Sequence, residues 1–249
     1  MSQLAALIFD FDGTIAETER DGHRVAYNAA FVDARAAWHW DVPTYGKLLA
    51  IAGGKERLDH FIATERPDVS REDRTRLVEL LHETKRRHFA RLADGLALRP
   101  GIVRLVEEAT AAGLRCAIAT TAAPSGVEAF LRRDASLADA FEVIVAGDMV
   151  PHKKPAPDVY ELTLERLGIS ASEAIAFEDS AVGLRAARAA AIATIITPSI
   201  YTQGEDFNGA VAVVDHLGEP GDLATGRAGV PLARGFVDLD YVRAVLSAA

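Results

Sequence analysis

Five short apolar runs recur along the chain, and small or polar residues follow each of them. The runs cover residues 4–9, 114–119, 141–146, 174–177 and 191–196. Continuous apolar character over such a short length is typical of strands that are buried on both faces of a parallel sheet. Because parallel strands present their carboxyl ends at one edge of the sheet, we expect the polar residues after the runs to meet at that edge.

Helical segments separate the later runs. The segments 100–112 and 157–167 both start with proline and are both followed by glycine, while 180–190 is rich in alanine. Proline in the first turn and glycine after the last turn are common helix boundaries. The alternation of strand and helix from residue 100 to about 197 predicts right-handed βαβ units in a doubly wound, Rossmann-like α/β domain with a parallel sheet.

Residues 18–93 interrupt this alternation because their pattern is helical throughout. Helices are predicted over 19–38, 45–51, 55–64 and 71–92. A small all-helical domain is therefore expected as an insertion after the first strand, with the α/β domain formed by 1–17 and 94–249.

The pattern weakens after residue 197. A short strand is predicted over 211–214, a loop rich in glycine and proline over 218–235, and a closing helix over 238–248.

The charge of the chain restricts its partners. It has 249 residues, with 27 Lys and Arg against 36 Asp and Glu, which gives a formal charge of −9 at pH 7. A field of this sign repels polyphosphate chains and anionic bilayers, so we expect no nucleic acid and no membrane as a partner. Small molecules and proteins remain.

The first apolar run stops before Asp10, so it is too short to be a signal peptide or a membrane-spanning helix. The single Cys116 lies in an apolar run, where a thiol behaves as a small core residue. We expect a soluble, cytoplasmic monomer.

Paired carboxylates follow the first run in Asp10-Phe11-Asp12-Gly13-Thr14. Residues two apart in an extended chain point to the same side, so both carboxylates can face one site, where one attacks and the other moves protons. The sequence after Asp12 does not fit a calcium-binding EF-hand loop. The alternative is a plain polar strand end or a capping pair.

Three further polar groups follow later strands: Thr120, Lys154 in the stretch 152–158, and Glu178 with Asp179. Each alone is compatible with a strand end, solvated charge or a helix start. Together they predict a crevice with oxygen ligands for a hard cation such as Mg²⁺ and a positive group for an anion.

These motifs, in their order and spacing, resemble the haloacid dehalogenase (HAD) superfamily, in its β-phosphoglucomutase-like branch. The helical insertion is similar to the C1 cap of that branch. More narrowly, several stretches are similar to CbbY-type sugar-bisphosphate phosphatases, among them 16–19, 53–57, 146–150, 153–158 and 201–207.

The resemblance implies roles for the core residues. Asp10 would attack phosphorus to form an aspartyl phosphate, and Asp12 would protonate the leaving sugar oxygen and then deprotonate water. Thr120 and Lys154 would bind the phosphoryl oxygens.

The same resemblance implies a metal site. Mg²⁺ would be held by Asp10, the backbone carbonyl of Asp12 and Asp179, with Glu178 as a direct ligand or just outside the ligand set.

Substrate selection would fall to the cap. Lys55 and Arg57 follow a flexible turn and suit a second, non-transferred phosphate; a basic helix start that faces solvent is the alternative. The resemblance adds other substrate-binding candidates: Glu17, His23, Tyr45, Gly54 and Thr121.

The expected function is a Mg²⁺-dependent phosphatase for a sugar bisphosphate, with xylulose 1,5-bisphosphate as the expected substrate. A β-phosphoglucomutase-like sugar phosphomutase and a non-catalytic HAD-like binding module are the alternatives. A true dehalogenase is disfavoured because Asp12 supplies an acid that halide displacement does not need.

Overall fold

A computed structural model describes residues 3–51, 53–132 and 135–249. The chain divides into two compact units. The α/β unit comprises Met1–Glu17 with Ala97–Ala249, and the helical unit comprises Thr18–Leu96. The sequence pattern places the second crossing near residue 94, whereas the helical unit continues to Leu96, whose 6% exposed side chain packs beside Gly22.

The α/β unit is built on one sheet with the strand order β3-β2-β1-β4-β5-β6-β7. The strands are β1 Ala6–Phe9, β2 Arg115–Ala119, β3 Phe141–Val145, β4 Ala174–Glu178, β5 Ala193–Ile196, β6 Ala212–Val214 and β7 Gly226–Gly229. All neighbouring strands from β3 to β6 pair in parallel. The predicted doubly wound parallel α/β fold is confirmed.

Helices flank this sheet. They are α5 Ile102–Ala111, α6 Pro124–Leu131, α7 Ala135–Ala140, α8 Asp158–Leu167, α9 Ala181–Ala189 and α10 Leu239–Ala248. The sequence pattern predicts α5, α8, α9 and α10 within two residues at each end, and it gives no element for α6 and α7. Both are short, and α7 exposes much of its surface, so neither carries an apolar stripe long enough to show a helical period.

The prediction of a loop over 218–235 is wrong for residues 226–229, which form strand β7. This strand pairs antiparallel with β6, and all four of its residues, Gly-Arg-Ala-Gly, are exposed. Backbone hydrogen bonds rather than apolar side chains hold it at the edge of the sheet, so no hydrophobic pattern marks it.

The helical unit starts with a π-helical turn over Thr18–His23 and contains no strand among its described residues. Its α-helices are α1 Arg24–Asp33, α2 Val42–Leu48, α3 Gly54–Glu65 and α4 Arg71–Leu92. The predicted helix over 19–38 is too long. Arg35 has a positive φ of 54°, and the chain turns back so that Asn28 accepts from the Trp40 backbone N–H at 2.8 Å. This turn buries the Trp40 side chain in the core of the helical unit.

None of the helices formed by the described residues has the length and apolar character needed to cross a bilayer. Cys116 is fully buried in β2, and burial raises the pKa of its thiol to about 12. The expectation of a core cysteine is therefore confirmed.

Candidate active site

The polar groups after the central strands meet at one edge of the sheet. Asp10 follows β1, Thr120 follows β2, Glu178 ends β4, and Asp179 comes next. Backbone pairing fixes these positions, since the Asp10 N–H donates to Phe177 O at 2.9 Å. The parallel register of β1 between β2 and β4 thus brings the chemistry-bearing residues together.

Asp10, Glu178 and Asp179 form a buried carboxylate cluster. Each offers one oxygen, and these oxygens lie within 4.8 Å of one another. Burial, together with the charges of the two neighbouring carboxylates, raises the pKa of Asp179 well above its ordinary value. Burial also raises the pKa of Glu178 to about 7, although the adjacent Lys154 ammonium opposes that shift.

Lys154 joins two members of this cluster. Its Nζ donates to Asp10 Oδ1 at 2.6 Å, to Glu178 Oε1 at 2.5 Å and to Ala119 O at 2.9 Å. Burial lowers the pKa of Lys154, but the two carboxylates outweigh this effect and the net shift is upward. The lysine is therefore a fixed cation at the edge of the sheet.

The donor set fits a divalent cation. With all three carboxylates ionised, they and one ammonium carry a formal charge of −3 + 1 = −2 within a buried volume. Such a charge is costly to bury without a counter-ion, and carboxylate oxygens are the ligands that Mg²⁺ prefers. The residues therefore suit Mg²⁺ by charge and by ligand type.

A tight turn follows Asp10 and Asp12. Gly13 has a φ of 84° and donates its N–H to Ala16 O at 2.8 Å. A Cβ at this position would overlap the Asp179 carboxylate, with the Cγ atom only 2.7 Å away. The glycine thus allows the turn to pack directly against the carboxylate cluster. Asp12 is half-buried beside this turn and is not a member of the three-carboxylate cluster.

Thr120 is fully buried, and its Oγ1 accepts from the Ala122 N–H at 3.0 Å. Thr121 comes next and is half-buried. Both lie at the carboxyl end of β2, one strand away from Asp10.

Two side chains that sequence reasoning missed support the cluster. Tyr160 in α8 donates its hydroxyl to Glu178 Oε1 at 2.7 Å and is fully buried. Thr202 donates its hydroxyl to Asp179 O at 2.7 Å. In the sequence, a tyrosine on an apolar helix face cannot be told from an ordinary core residue. Thr202 was indicated only as part of the stretch 201–207, which is similar to CbbY-type phosphatases.

Arg99 is a third residue that sequence reasoning missed. It is 9% exposed and lies 3.8 Å from Glu17, measured between Nε and Oε1. Glu17, a predicted substrate-binding residue, is thus half-buried in the α/β unit next to a cation.

The predicted cap residues lie in the helical unit. Tyr45 is fully buried and donates its hydroxyl to Glu19 Oε2 at 2.5 Å. Arg57 is also buried, and it donates to the Tyr45 hydroxyl at 3.2 Å and to Leu48 O at 3.1 Å. Sequence reasoning placed Tyr45 and Arg57 among the candidates but missed Glu19 as their partner.

The other cap candidates have different surroundings. Lys55 is exposed and forms an ion pair with Glu79 at 2.7 Å. Gly54 begins α3, and its carbonyl accepts from the Tyr27 hydroxyl at 3.2 Å. His23 is half-buried against the Phe89 ring, with 4.1 Å between the ring centroids. Burial, with the positive charges of nearby basic residues, lowers the pKa of His23 well below 6.5.

Comparison with known proteins identifies the family. A model of the haloacid dehalogenase-like hydrolases matches residues 4–191. The chain belongs to this family. The hydrolase is 46% identical to protein CbbY (plasmid) of Cupriavidus necator over 224 residues, which are 88% of each chain.

Solved structures agree with this assignment. CbbY from Rhodobacter sphaeroides in complex with phosphate is 41% identical and superposes with a TM-score of 0.76, covering 86% of this chain and 95% of that one. A mutant of the same CbbY in complex with xylulose 1,5-bisphosphate is 40% identical, with a TM-score of 0.75 and the same coverage. The prediction of a HAD-type phosphatase similar to CbbY proteins is confirmed.

Proposed function

We propose that this HAD-type phosphatase is Mg²⁺-dependent and hydrolyses a sugar bisphosphate, with xylulose 1,5-bisphosphate as its substrate. The observation that carries the proposal is the buried cluster of Asp10, Glu178 and Asp179, joined by Lys154 at the ends of neighbouring strands. The mutant CbbY structure that holds xylulose 1,5-bisphosphate supports the choice of sugar.

In this proposal Asp10 is the nucleophile. One carboxylate oxygen attacks phosphorus, the phosphorus–oxygen bond to the sugar breaks, and an aspartyl phosphate forms. Asp12 gives a proton to the departing sugar oxygen. Asp12 then takes a proton from the water that attacks the aspartyl phosphate, so that inorganic phosphate leaves and Asp10 is regenerated.

Charge on the transferred group is balanced by fixed residues. Lys154 already lies 2.6 Å from Asp10, so its ammonium is placed beside the phosphoryl oxygens without a large movement. Thr120 offers a buried hydroxyl at the adjacent strand end. Bound at Asp10, Asp179 and the Asp12 carbonyl, with Glu178 nearby, Mg²⁺ would supply further neutralisation of negative charge.

Substrate selection is assigned mainly to the helical unit, with Glu17 and Thr121 as contributions from the α/β unit. Lys55 and Arg57 are proposed to bind the phosphate that is not transferred, and Glu17, His23, Tyr45, Gly54 and Thr121 to contact the rest of the substrate. Lys55 is the exposed cation of the pair, and its partner Glu79 is exposed as well, so a doubly charged phosphate can compete for it.

The test is Mg²⁺-dependent phosphate release from a panel of sugar mono- and bisphosphates that includes the 1,5-bisphosphates of xylulose and ribulose. We expect the highest kcat/KM for xylulose 1,5-bisphosphate, no release in EDTA, and no turnover by a folded Asp10→Asn variant. Equal kcat/KM for monophosphates would contradict the assigned substrate class. Formation of an isomerised sugar phosphate instead of free phosphate would favour the mutase.

The role of Lys55 has a matched control. Lys55→Ala is expected to raise KM for the bisphosphate about tenfold, because one charged contact is lost. Lys47→Ala removes another exposed lysine of the helical unit and is expected to leave KM within twofold. Equal behaviour of the two variants would exclude Lys55 from the phosphate site.

A further inference from the structure

Arg99 is a buried cation whose partners are backbone carbonyls of three different loops. Its Nη1 donates to Gly13 O and, at 2.6 Å, to Thr197 O. Its Nη2 donates to Pro198 O at 3.0 Å and to Asp215 O at 2.9 Å. These carbonyls follow β1, β5 and β6, so one side chain connects the loops at one edge of the sheet.

The geometry requires a guanidinium. A buried cation is costly unless hydrogen bonds and nearby negative groups compensate for lost hydration, and here the carbonyls do so together with Glu17. Arginine presents five donors in one plane, whereas lysine presents three donors on a single nitrogen. A lysine at position 99 could therefore satisfy only part of this carbonyl set.

The residue holds the turn after Asp12 at two points. The side chain binds Gly13 O, and the backbone N–H of Arg99 donates to Ile15 O at 2.9 Å. The Gly13 backbone in turn packs against the Asp179 carboxylate. A shift of the Gly13 peptide would thus move the neighbouring Asp12 relative to the carboxylate cluster.

The same side chain is coupled to the end of β4. Thr197, which accepts from Arg99, donates its own N–H to Glu178 O at 2.7 Å. The Arg99 contacts therefore connect the turn that follows Asp12 with the strand that carries Glu178.

We infer that Arg99 is a positioning residue for phosphoryl transfer, which it serves by fixing the Gly13 peptide and thereby the place of Asp12. The inference rests on the proposed function. Arg99 touches neither the nucleophile nor the carboxylate cluster, and it acts through the backbone of the catalytic turn.

The test compares Arg99→Met with a matched variant, Arg104→Met. Arg104 is also largely buried, and its Nη2 donates to the carbonyls of Leu217, Gly218 and Val237 at 3.0, 2.9 and 3.1 Å. Both substitutions remove a guanidinium from a set of carbonyls, but only Arg99 contacts the turn after Asp12.

For the bisphosphate that the wild type hydrolyses best, we expect Arg99→Met to lower kcat about 10- to 100-fold, because reacting groups are misplaced. KM should change less than kcat, since Glu17 is the one proposed substrate contact that pairs with Arg99. The kcat of Arg99→Lys should lie between that of Arg99→Met and that of the wild type. If Arg99→Met does not fold, the kcat of Arg99→Lys serves as the test instead. Arg104→Met should keep kcat within twofold of the wild type, even if its Tm falls as far as that of Arg99→Met. Equal kcat losses in the Arg99 and Arg104 variants would overturn the inference, as would wild-type kcat in Arg99→Met.

A second readout is independent of turnover. In ¹⁵N-labelled protein, Arg99→Lys should shift the amide resonances of residues 13–16 and speed their hydrogen exchange, whereas Arg104→Met should leave them unchanged. Absence of phosphate release by the wild type would refute the proposed function alone. Unchanged amides in the Arg99 variant would refute the positioning role alone.

Discussion

At the scale of single residues, Lys153 and Lys154 show how position decides chemistry. The two lysines are adjacent in sequence, yet Lys153 is exposed while the side chain of Lys154 is only 5% exposed. The ammonium of Lys154 contacts the Asp10 and Glu178 carboxylates. Of the two lysines, Lys154 is thus the one placed to offset charge on the phosphoryl group that, in the proposed mechanism, is transferred to Asp10.

Tyr160 gives a prediction at this scale. Tyr160→Phe removes a buried hydrogen bond to Glu178 and is expected to lower the free energy of unfolding by about 1–3 kcal/mol. We also expect kcat to fall severalfold, because Glu178 loses one of the two side chains that hold its carboxylate in place and keeps only Lys154. Urea unfolding and phosphate release provide the measurements.

The control for this variant is Tyr241→Phe. The Tyr241 hydroxyl donates to Val230 O at 2.7 Å, in a part of the α/β unit that contains none of the candidate catalytic residues. It should lose stability while retaining kcat. If both variants kept wild-type kcat, Tyr160 would be structural only.

His23 predicts a pH dependence. Its pKa is lowered in the folded state, so the unfolded chain binds a proton more readily once the pH falls below about 6.5. The contribution of His23 to the free energy of unfolding should therefore fall as the pH falls through 6.5, by up to about 1.4 kcal/mol per pH unit, until the pH reaches the lowered folded value. The raised pKa values of Glu178 and Asp179 act in the opposite direction over the same range. The His23 contribution is therefore measured by urea unfolding at pH 7.5 and pH 5.5 as the difference between the wild type and His23→Gln.

Relative to the wild type, His23→Gln should lose less free energy of unfolding, or gain more, between pH 7.5 and pH 5.5, whereas His60→Gln, which removes an exposed histidine of the same unit, should follow the wild type. An unchanged pH dependence in His23→Gln would contradict the assignment.

At the scale of elements, the start of α9 is packed against the end of β4. Ser180 caps the helix by accepting from the Gly183 N–H at 3.1 Å, and a Cβ at Gly183 would overlap the Glu178 carboxylate. That carboxylate cannot move freely because Lys154 and Tyr160 both bind it. Gly183→Ala is thus expected to lower kcat at least tenfold and to reduce Tm by several degrees.

Gly204→Ala is the control for this prediction, because no atom lies within 4 Å of a Cβ at that position. Its kcat and Tm should match the wild type. Wild-type kcat in Gly183→Ala would show that the contact between α9 and β4 does not position Glu178.

Whether an element could be predicted depended on the interactions that stabilise it, which are buried apolar side chains in some elements and hydrogen bonds in others. Strands β1, β2, β4, β5 and β6 are largely buried and leave mostly apolar runs in the sequence, which predict them. Strand β3 lies at the edge of the sheet and exposes Glu142, but its other four residues are apolar and still predict a strand. Strand β7 is exposed and is held by its backbone, so it was missed. The end of α1 was missed because a reciprocal hydrogen-bond pair between Asn28 and Trp40, rather than a local stop signal, turns the chain.

The residues of the candidate site also divide into those with a local sequence pattern and those without one. Asp10, Thr120 and Glu178 follow apolar runs directly, and Asp179 comes after Glu178, so strand topology predicts their proximity. Arg99 and Tyr160 reach the site by folding across long stretches of sequence, with Arg99 bound to Asp215 across 116 residues. A single sequence contains no local pattern for such contacts.

At the scale of the whole molecule, the net charge of the chain and the charge at the candidate site have different consequences for substrate binding. The chain carries a formal charge of −9, which opposes a polyanionic substrate at long range. The buried carboxylates contribute to that total, yet in their fully ionised form they and Lys154 make a site of charge −2 that suits a divalent cation. Mg²⁺ binding would therefore neutralise the local negative charge where the phosphate must approach.

In the proposed mechanism Asp10 receives the phosphoryl group. The most direct measurement is acid quenching of the enzyme during turnover of the bisphosphate, followed by mass spectrometry of the intact chain and of the peptide that contains Asp10. We expect a transient mass increase of one phosphoryl group on Asp10 in the wild type and none in Asp10→Asn. Phosphorylation of another residue, or turnover by the Asp10→Asn variant, would contradict it.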